Sequence, residues 1–76
     1  MQDAQRIGAT EIAALIRRDI SNGVLQLHDR LPPERALSNT YGAARGTVRK
    51  ALSALEREGM VETRAGSGTY IITKKV

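Results

Sequence analysis

"GAARGTVRKALSALEREGMVETRAGSGTYI" (residues 42–71) opens on a glycine, enters a helical repeat through a bare arginine and ends in a glycine-rich turn between two β-branched runs. Val48, Ala51, Leu52 and Leu55 recur at helical spacing and form the inner stripe of a helix at about 45–58. Arg45 and Arg49 are four residues apart, so they lie about 40° apart around the axis and project away from that stripe. Gly59 closes the helix, being free to take a positive φ. "MVETR" and "TYIIT" then read as two strands joined by a four-residue loop, "AGSG".

Working back from Gly42, a shorter helix is expected at about Glu34–Tyr41, with Leu37 and Tyr41 one turn apart. Pro32 and Pro33 fix an extended approach to it, and Pro33 fits the first turn, where its missing N–H is no loss. Val24, Leu25 and Leu27 alternate loosely ahead of the prolines. Further upstream, Ile12, Leu15, Ile16 and Ile20 make one apolar stripe, with Thr10 as N-cap, Glu11 in the first turn and Asn22-Gly23 as the stop. Residues 1–7 read as a polar leader, 8–73 as the folded unit, and 74–76 as a tail or the start of a linker. Ile16, Leu37, Val48, Leu52, Leu55 and Ile71 are the expected core.

The order is helix, short helix, tight turn, helix, hairpin. Two helices joined by a glycine-containing turn, the second presenting basic residues at its N-terminal end, make a helix-turn-helix, and a hairpin directly after it makes the winged form. The fold class is α+β, mostly α.

Composition narrows the function. A chain of 76 residues is one domain with a thin core, burying only about 60% of the surface its unfolded form exposes. It has no cysteine and one histidine, so disulfides, thiolate metal sites and Cys/His couples are unavailable. His28 reads as a surface residue without chemistry. Paired carboxylates and nucleophile–base sets are also absent from the pattern, so an enzyme is not expected, and neither is a metal or cofactor. No apolar run approaches the roughly 18 residues of a membrane span, and the expected location is the cytoplasm.

The net charge of +4 is unevenly spread. Arg35, Arg45, Arg49 and Lys50 carry all of it between residues 35 and 55, a stretch with no acid, while the remainder holds eight basic and eight acidic groups. Around Arg49, position i+4 is Ser53 and i−4 is Arg45, so its own helix offers it no ion-pair partner. The arginines are therefore read as unneutralised, with phosphates and guanines as their partners. With two tyrosines and no Phe or Trp, stacking platforms for single strands are lacking, which favours a duplex. A winged helix that serves only protein contacts is the alternative; loss of these basic residues would be its mark, and they are present.

"LPPER.L" (31–37), "YGAARGTVRKAL..LEREGMV" (41–61) and "GSGTYI" (66–71), with "I...I.NGVL...DRLP" upstream, resemble the DNA-binding half of GntR-family bacterial transcription regulators over about 65 of the 76 residues. The resemblance implies a winged helix-turn-helix repressor that binds an inverted-repeat operator as a homodimer. It also implies a larger C-terminal domain sensing a small-molecule effector, which these residues do not include, so the chain reads as an excised DNA-binding domain, mainly monomeric alone, the alternative being an unusually truncated relative. Carried over by position, the family's DNA contacts fall on Arg35, Arg45, Thr47 and Arg49, on the backbone around Ala44 and Gly46, and on the wing tip near Gly66. Lys50 adds general attraction, and Gly66-Ser67-Gly68 presses against the backbone or enters the minor groove.

Two positions depart from the family pattern. Ala44 stands where a Ser or Thr hydroxyl is common, which removes a helix cap worth about 1 kcal/mol and one phosphate contact. Gly46 replaces a larger side chain in the first turn, and either admits the DNA backbone closely or weakens the helix start. Arg35, beside Glu34, is read as a phosphate clamp, the alternative being an ion pair to Glu34 or Asp29.

Overall fold

The first helix, α1, spans Ala9–Ser21 in the computed structural model, which describes residues 7–73. The leader, apart from Ile7, and the tail at 74–76 lie outside the described residues. Helix α1 starts two residues earlier than Thr10 as N-cap predicts, because Gly8 is the N-cap: its carbonyl accepts from the Ile12 N–H at 3.0 Å and its own N–H donates to Glu11 Oε1 at 2.9 Å. Glu11 thus sits at N3, where a carboxylate can reach back to the cap. Ile12, Ala13, Ile16 and Ile20 form the buried face, and Leu15, expected in the stripe, is only half-buried at its margin. Asn22 caps the C-terminus and Gly23 follows at φ 79°.

Helix α2 is Glu34–Tyr41, with Pro33 one position outside it as the N-cap rather than in the first turn. Gly42 ends it at φ 63°, a left-handed conformation that permits a two-residue passage into α3, Arg45–Arg57. The Ser38 hydroxyl donates to the Ala43 carbonyl and the Ala43 N–H to the Ser38 carbonyl at 3.1 Å, which locks the turn from both sides. Strands β1, Val61–Arg64, and β2, Gly68–Ile71, pair antiparallel in the register Val61 to Ile71 and Arg64 to Gly68. The loop is therefore three residues, Ala65–Ser67, not four: Gly68 belongs to the ladder. The Ser67 N–H closes on the Arg64 carbonyl at 2.9 Å with Gly66 at φ 75°, as the second central position of a type II turn requires.

One pairing was not legible in the sequence. Residues 28–31 run along the outer edge of β2: the His28 N–H donates to Ile71 O, the Ile71 N–H to Asp29 O and the Leu31 N–H to Thr69 O, each at 2.8 Å. This strap gives the wing a third edge and fixes it to the body. His28 enters it at φ 78°, an uncommon conformation for a residue with a side chain, held by the Asp29 N–H to Gln26 O and the Gln26 N–H to Asp29 Oδ2. Its role is in the backbone.

The core joins Ile12, Ala13, Ile16, Ile20, Leu31, Leu37, Val48, Ala51, Leu55, Val61 and Ile71. Helix α3 is its centre, packing on α1, on α2 and on β1. Leu52, predicted inside, is only partly buried at the margin, and Leu31 on the strap occupies a fully buried place that the sequence reading left open. This packing leaves the outer face of the first turns of α3, with Arg45, Gly46 and Arg49, exposed.

Candidate nucleic-acid interface

Val48, Ala51 and Leu55 bind α3 to the core, so the face opposite them is fixed outward. Arg45, Gly46, Arg49 and Lys50 are all exposed on it. Ala44 is the N-cap, with extended backbone (φ −66°, ψ 151°) and no side-chain cap, as its missing hydroxyl predicts. The N-terminus of α3 consequently presents backbone N–H groups at the surface, the polarity an anion prefers. Thr47 is half-buried and lines a shallow hollow with Ser38, Asn39, Gly42, Ala43 and Ala44 at the helix–turn–helix corner. At Gly46 a Cβ would meet nothing within 4 Å, so no neighbour in the domain requires glycine there.

The arginines are not unneutralised. Arg49 forms a two-pronged ion pair with Glu34 at the start of α2: Nε donates to Oε2 at 3.0 Å and Nη2 to Oε1 at 2.9 Å. Arg45 Nε lies 3.8 Å from the same Oε1. The partner is fifteen residues away in sequence, and only the packing of α2 on α3 brings it there. The hydrogen bond from Arg49, and then the charges of Arg49 and Arg45, hold the Glu34 carboxyl below its usual range, while its desolvation opposes them. The same bond raises the Arg49 guanidinium.

Neither arginine is folded away: their side chains are 59% and 65% exposed, against 26% for Glu34 beneath them. Arg35 projects from the adjacent turn of α2 and, with Pro33, Glu34, Ala36, Asn39 and Arg45, lines an open hollow. Among the described residues it makes no ion pair, so the alternative of a bridge to Glu34 or Asp29 is not what the fold adopts. Arg45 and Arg49 thus share one carboxylate, and Arg35, without an ion pair among the described residues, lies beside it on α2.

The wing holds a second group. Gly66 and Ser67 are exposed at its tip, but the Ser67 hydroxyl is engaged with the Tyr70 hydroxyl at 2.6 Å. The Arg64 guanidinium lies 4.5 Å from the centre of the Tyr70 ring and 3.5 Å from Glu62. Arg30, on the strap, crosses Gly68 so closely that a Cβ there would lie 2.6 Å from Arg30 Nε. Arg30 and Arg64 were not singled out from the sequence. Strand alternation pairs Arg64 with Glu62 and hinted at a shared face; nothing local signals Arg30, because its place depends on a non-local bridge to Tyr70. Among the described residues no group of His, Cys, Asp or Glu is placed to hold a metal, and no helix is long and apolar enough to cross a membrane.

Known proteins resemble the chain in sequence and in fold. The chain is 43% identical over 63 residues to the Uxu operon regulator of Haemophilus influenzae, covering 83% of this chain and 24% of that one. It is 42% identical over 66 residues to the mannosyl-D-glycerate transport/metabolism system repressor MngR of Escherichia coli, covering 87% and 28%. The chain therefore spans about a quarter of the length of these curated relatives. Among solved structures it superposes on the AraR DNA-binding domain in complex with operator ORX1 with a TM-score of 0.80 at 27% identity, over 83% of this chain and 76% of that one. A GntR family transcriptional regulator from Listeria monocytogenes matches with a TM-score of 0.82 at 25% identity, over 84% and 56%. The model of the family described as "Bacterial regulatory proteins, gntR family" matches residues 9–71, nearly the whole described domain, and the chain belongs to that family.

Proposed function

We propose that this domain binds double-stranded DNA by sequence, as the reading head of a bacterial transcription repressor, with α3 in the major groove and the wing, residues 64–69, at the backbone or minor groove. The observation that carries this is the exposed face of α3, where Arg45 and Arg49 stand together at the N-terminal end, clear of the core. That is the end of a recognition helix that meets base edges. The solved complex of the structurally similar AraR DNA-binding domain with its operator supports DNA as the partner.

The roles follow from the chemistry. Arg45 and Arg49 each carry the fork that fits O6 and N7 of guanine. Arg35 and Lys50 serve phosphates, as do the backbone N–H groups around Ala44 and Gly46. Thr47 offers a hydroxyl and a methyl in the first turn. At the wing Gly66 allows close approach, while Ser67 is reserved for Tyr70. The full-length protein acts in the cytoplasm as a homodimer on an inverted repeat, with effector sensing in sequence beyond this domain.

The test is selection of bound duplexes from a random pool, followed by titration of the recovered duplex. Arg49→Ala should weaken binding by about 1–3 kcal/mol at unchanged fold. With about four phosphate contacts per domain, log K should fall against log salt with a slope near −3.6. A flat salt profile, or equal affinity of both proteins for the recovered duplex, refutes the assignment of α3.

A further inference from the structure

Resting on that reading, we propose that Glu34 is a positioning residue for sequence discrimination: it holds the two arginines of α3 as a single aimed pair, at the expense of general attraction to DNA. The argument begins with which edge of Arg49 is occupied. A guanidinium has five N–H groups in a planar fork. Glu34 takes the side edge, Nε and Nη2, at 3.0 and 2.9 Å. The end edge, Nη1 with the second hydrogen of Nη2, is left for a partner, and it is the edge that grips the two acceptors of a guanine. The ion pair therefore braces the arginine without silencing it.

The support itself is well anchored. Glu34 is the first residue of α2, set by Pro33 at the N-cap, and its side chain is 26% exposed, beneath the two more exposed guanidinium groups. At this position the carboxylate also lies near the positive end of the α2 dipole. One side chain at a helix start thereby braces Arg49 through two hydrogen bonds and draws Arg45 toward it by charge. Arg45 meets it only at 3.8 Å through Nε, a looser hold, so Arg49 is the more firmly aimed of the two.

Two consequences separate aiming from charge. Immobilising a rotamer-rich side chain on binding carries a penalty, and bracing it beforehand removes the penalty only where the braced geometry matches the site, so it favours the matching sequence by about two- to tenfold per arginine. The carboxylate also cancels one positive charge facing the duplex, which weakens attraction to every sequence alike. Glu34 thus raises the ratio of specific to non-specific affinity through the bracing alone, while the cancelled charge lowers both affinities and leaves their ratio unchanged.

The experiment uses this domain, the duplex it enriches from a random pool, and a shuffled duplex of the same composition. Glu34→Gln removes the charge and the strong brace; Glu34→Asp keeps the charge but, one methylene shorter, cannot span to Arg49 with both oxygens. The expected results are a rise in shuffled-duplex affinity for Glu34→Gln, with its log–log salt slope steeper by up to about 0.9, and little change in that affinity for Glu34→Asp. Both variants should lose about two- to tenfold in the ratio of enriched to shuffled affinity while remaining folded at the assay temperature by circular dichroism. Wild-type ratios in both variants overturn the inference while leaving DNA binding intact. A Glu34→Gln protein that gains equally on both duplexes, with Glu34→Asp unchanged, overturns it as well, since Glu34 then acts by charge alone. Failure of the wild-type domain to enrich any duplex refutes the DNA reading, and this inference with it.

Discussion

Replacing Ala44 with serine should stabilise the domain, because the start of α3 lacks the one interaction most helices possess there. Ala44 already has the extended conformation of an N-cap, its carbonyl accepts from the Thr47 and Val48 N–H groups at 3.0 and 3.1 Å, and its side chain is exposed. A serine Oγ needs no backbone movement to accept from Gly46 or Thr47, the second and third residues of the helix. Supplying a hydroxyl cap in place of alanine is worth about 1 kcal/mol. In a domain of this size 1 kcal/mol moves the melting temperature by about 4–8 °C. Circular dichroism melts at fixed concentration measure this directly. Ala14→Ser is the control: Ala14 is exposed within α1, where serine only lowers helix propensity, by about 0.5 kcal/mol, so its melting temperature should fall. If Ala44→Ser melts at or below the wild-type temperature, as Ala14→Ser should, then Ala44 is not acting as the N-cap and the reasoning fails. The same hydroxyl sits where a phosphate is expected, so tighter duplex binding should accompany the gain.

Gly68→Ala should destabilise the wing by about 1–3 kcal/mol, because Gly68 has φ 139° and a Cβ would strike Arg30 Nε at 2.6 Å. Urea titration checks it, and Arg30→Ala in the same chain should recover only the part due to the clash; a neutral Gly68→Ala refutes the strap geometry. Acid stability should register the Glu34 pair. The folded-state carboxyl lies below its reference of 4.5, so its contribution is complete above that pH and fades as pH falls through the depressed folded value. The stability difference between wild type and Glu34→Gln should accordingly be greatest above pH 4.5 and close at lower pH; a constant difference across the acid range contradicts the pairing.

Much of the fold was legible along the chain. The apolar spacing of α1 and α3, the Gly42 break and the glycine-rich turn are local patterns, each written within a few residues, and they set the helix-turn-helix and its hairpin in order. The outward placement of the α3 arginines and the missing hydroxyl at Ala44 were equally readable, since periodicity places the first outward and the second at a helix start; that the arginines are paired was not. What tertiary structure decided concerns groups far apart in sequence. Glu34 reaches Arg49 only because α2 crosses α3 at one particular angle, and Arg30 reaches Gly68 only because the strap adds itself to β2. A helical repeat fixes the direction of a side chain relative to its own axis, while the partner it meets depends on how separate elements settle over a shared core. The basic residues of the outer α3 face were therefore visible in the chain, and their pairing with Glu34 emerged only from the packing.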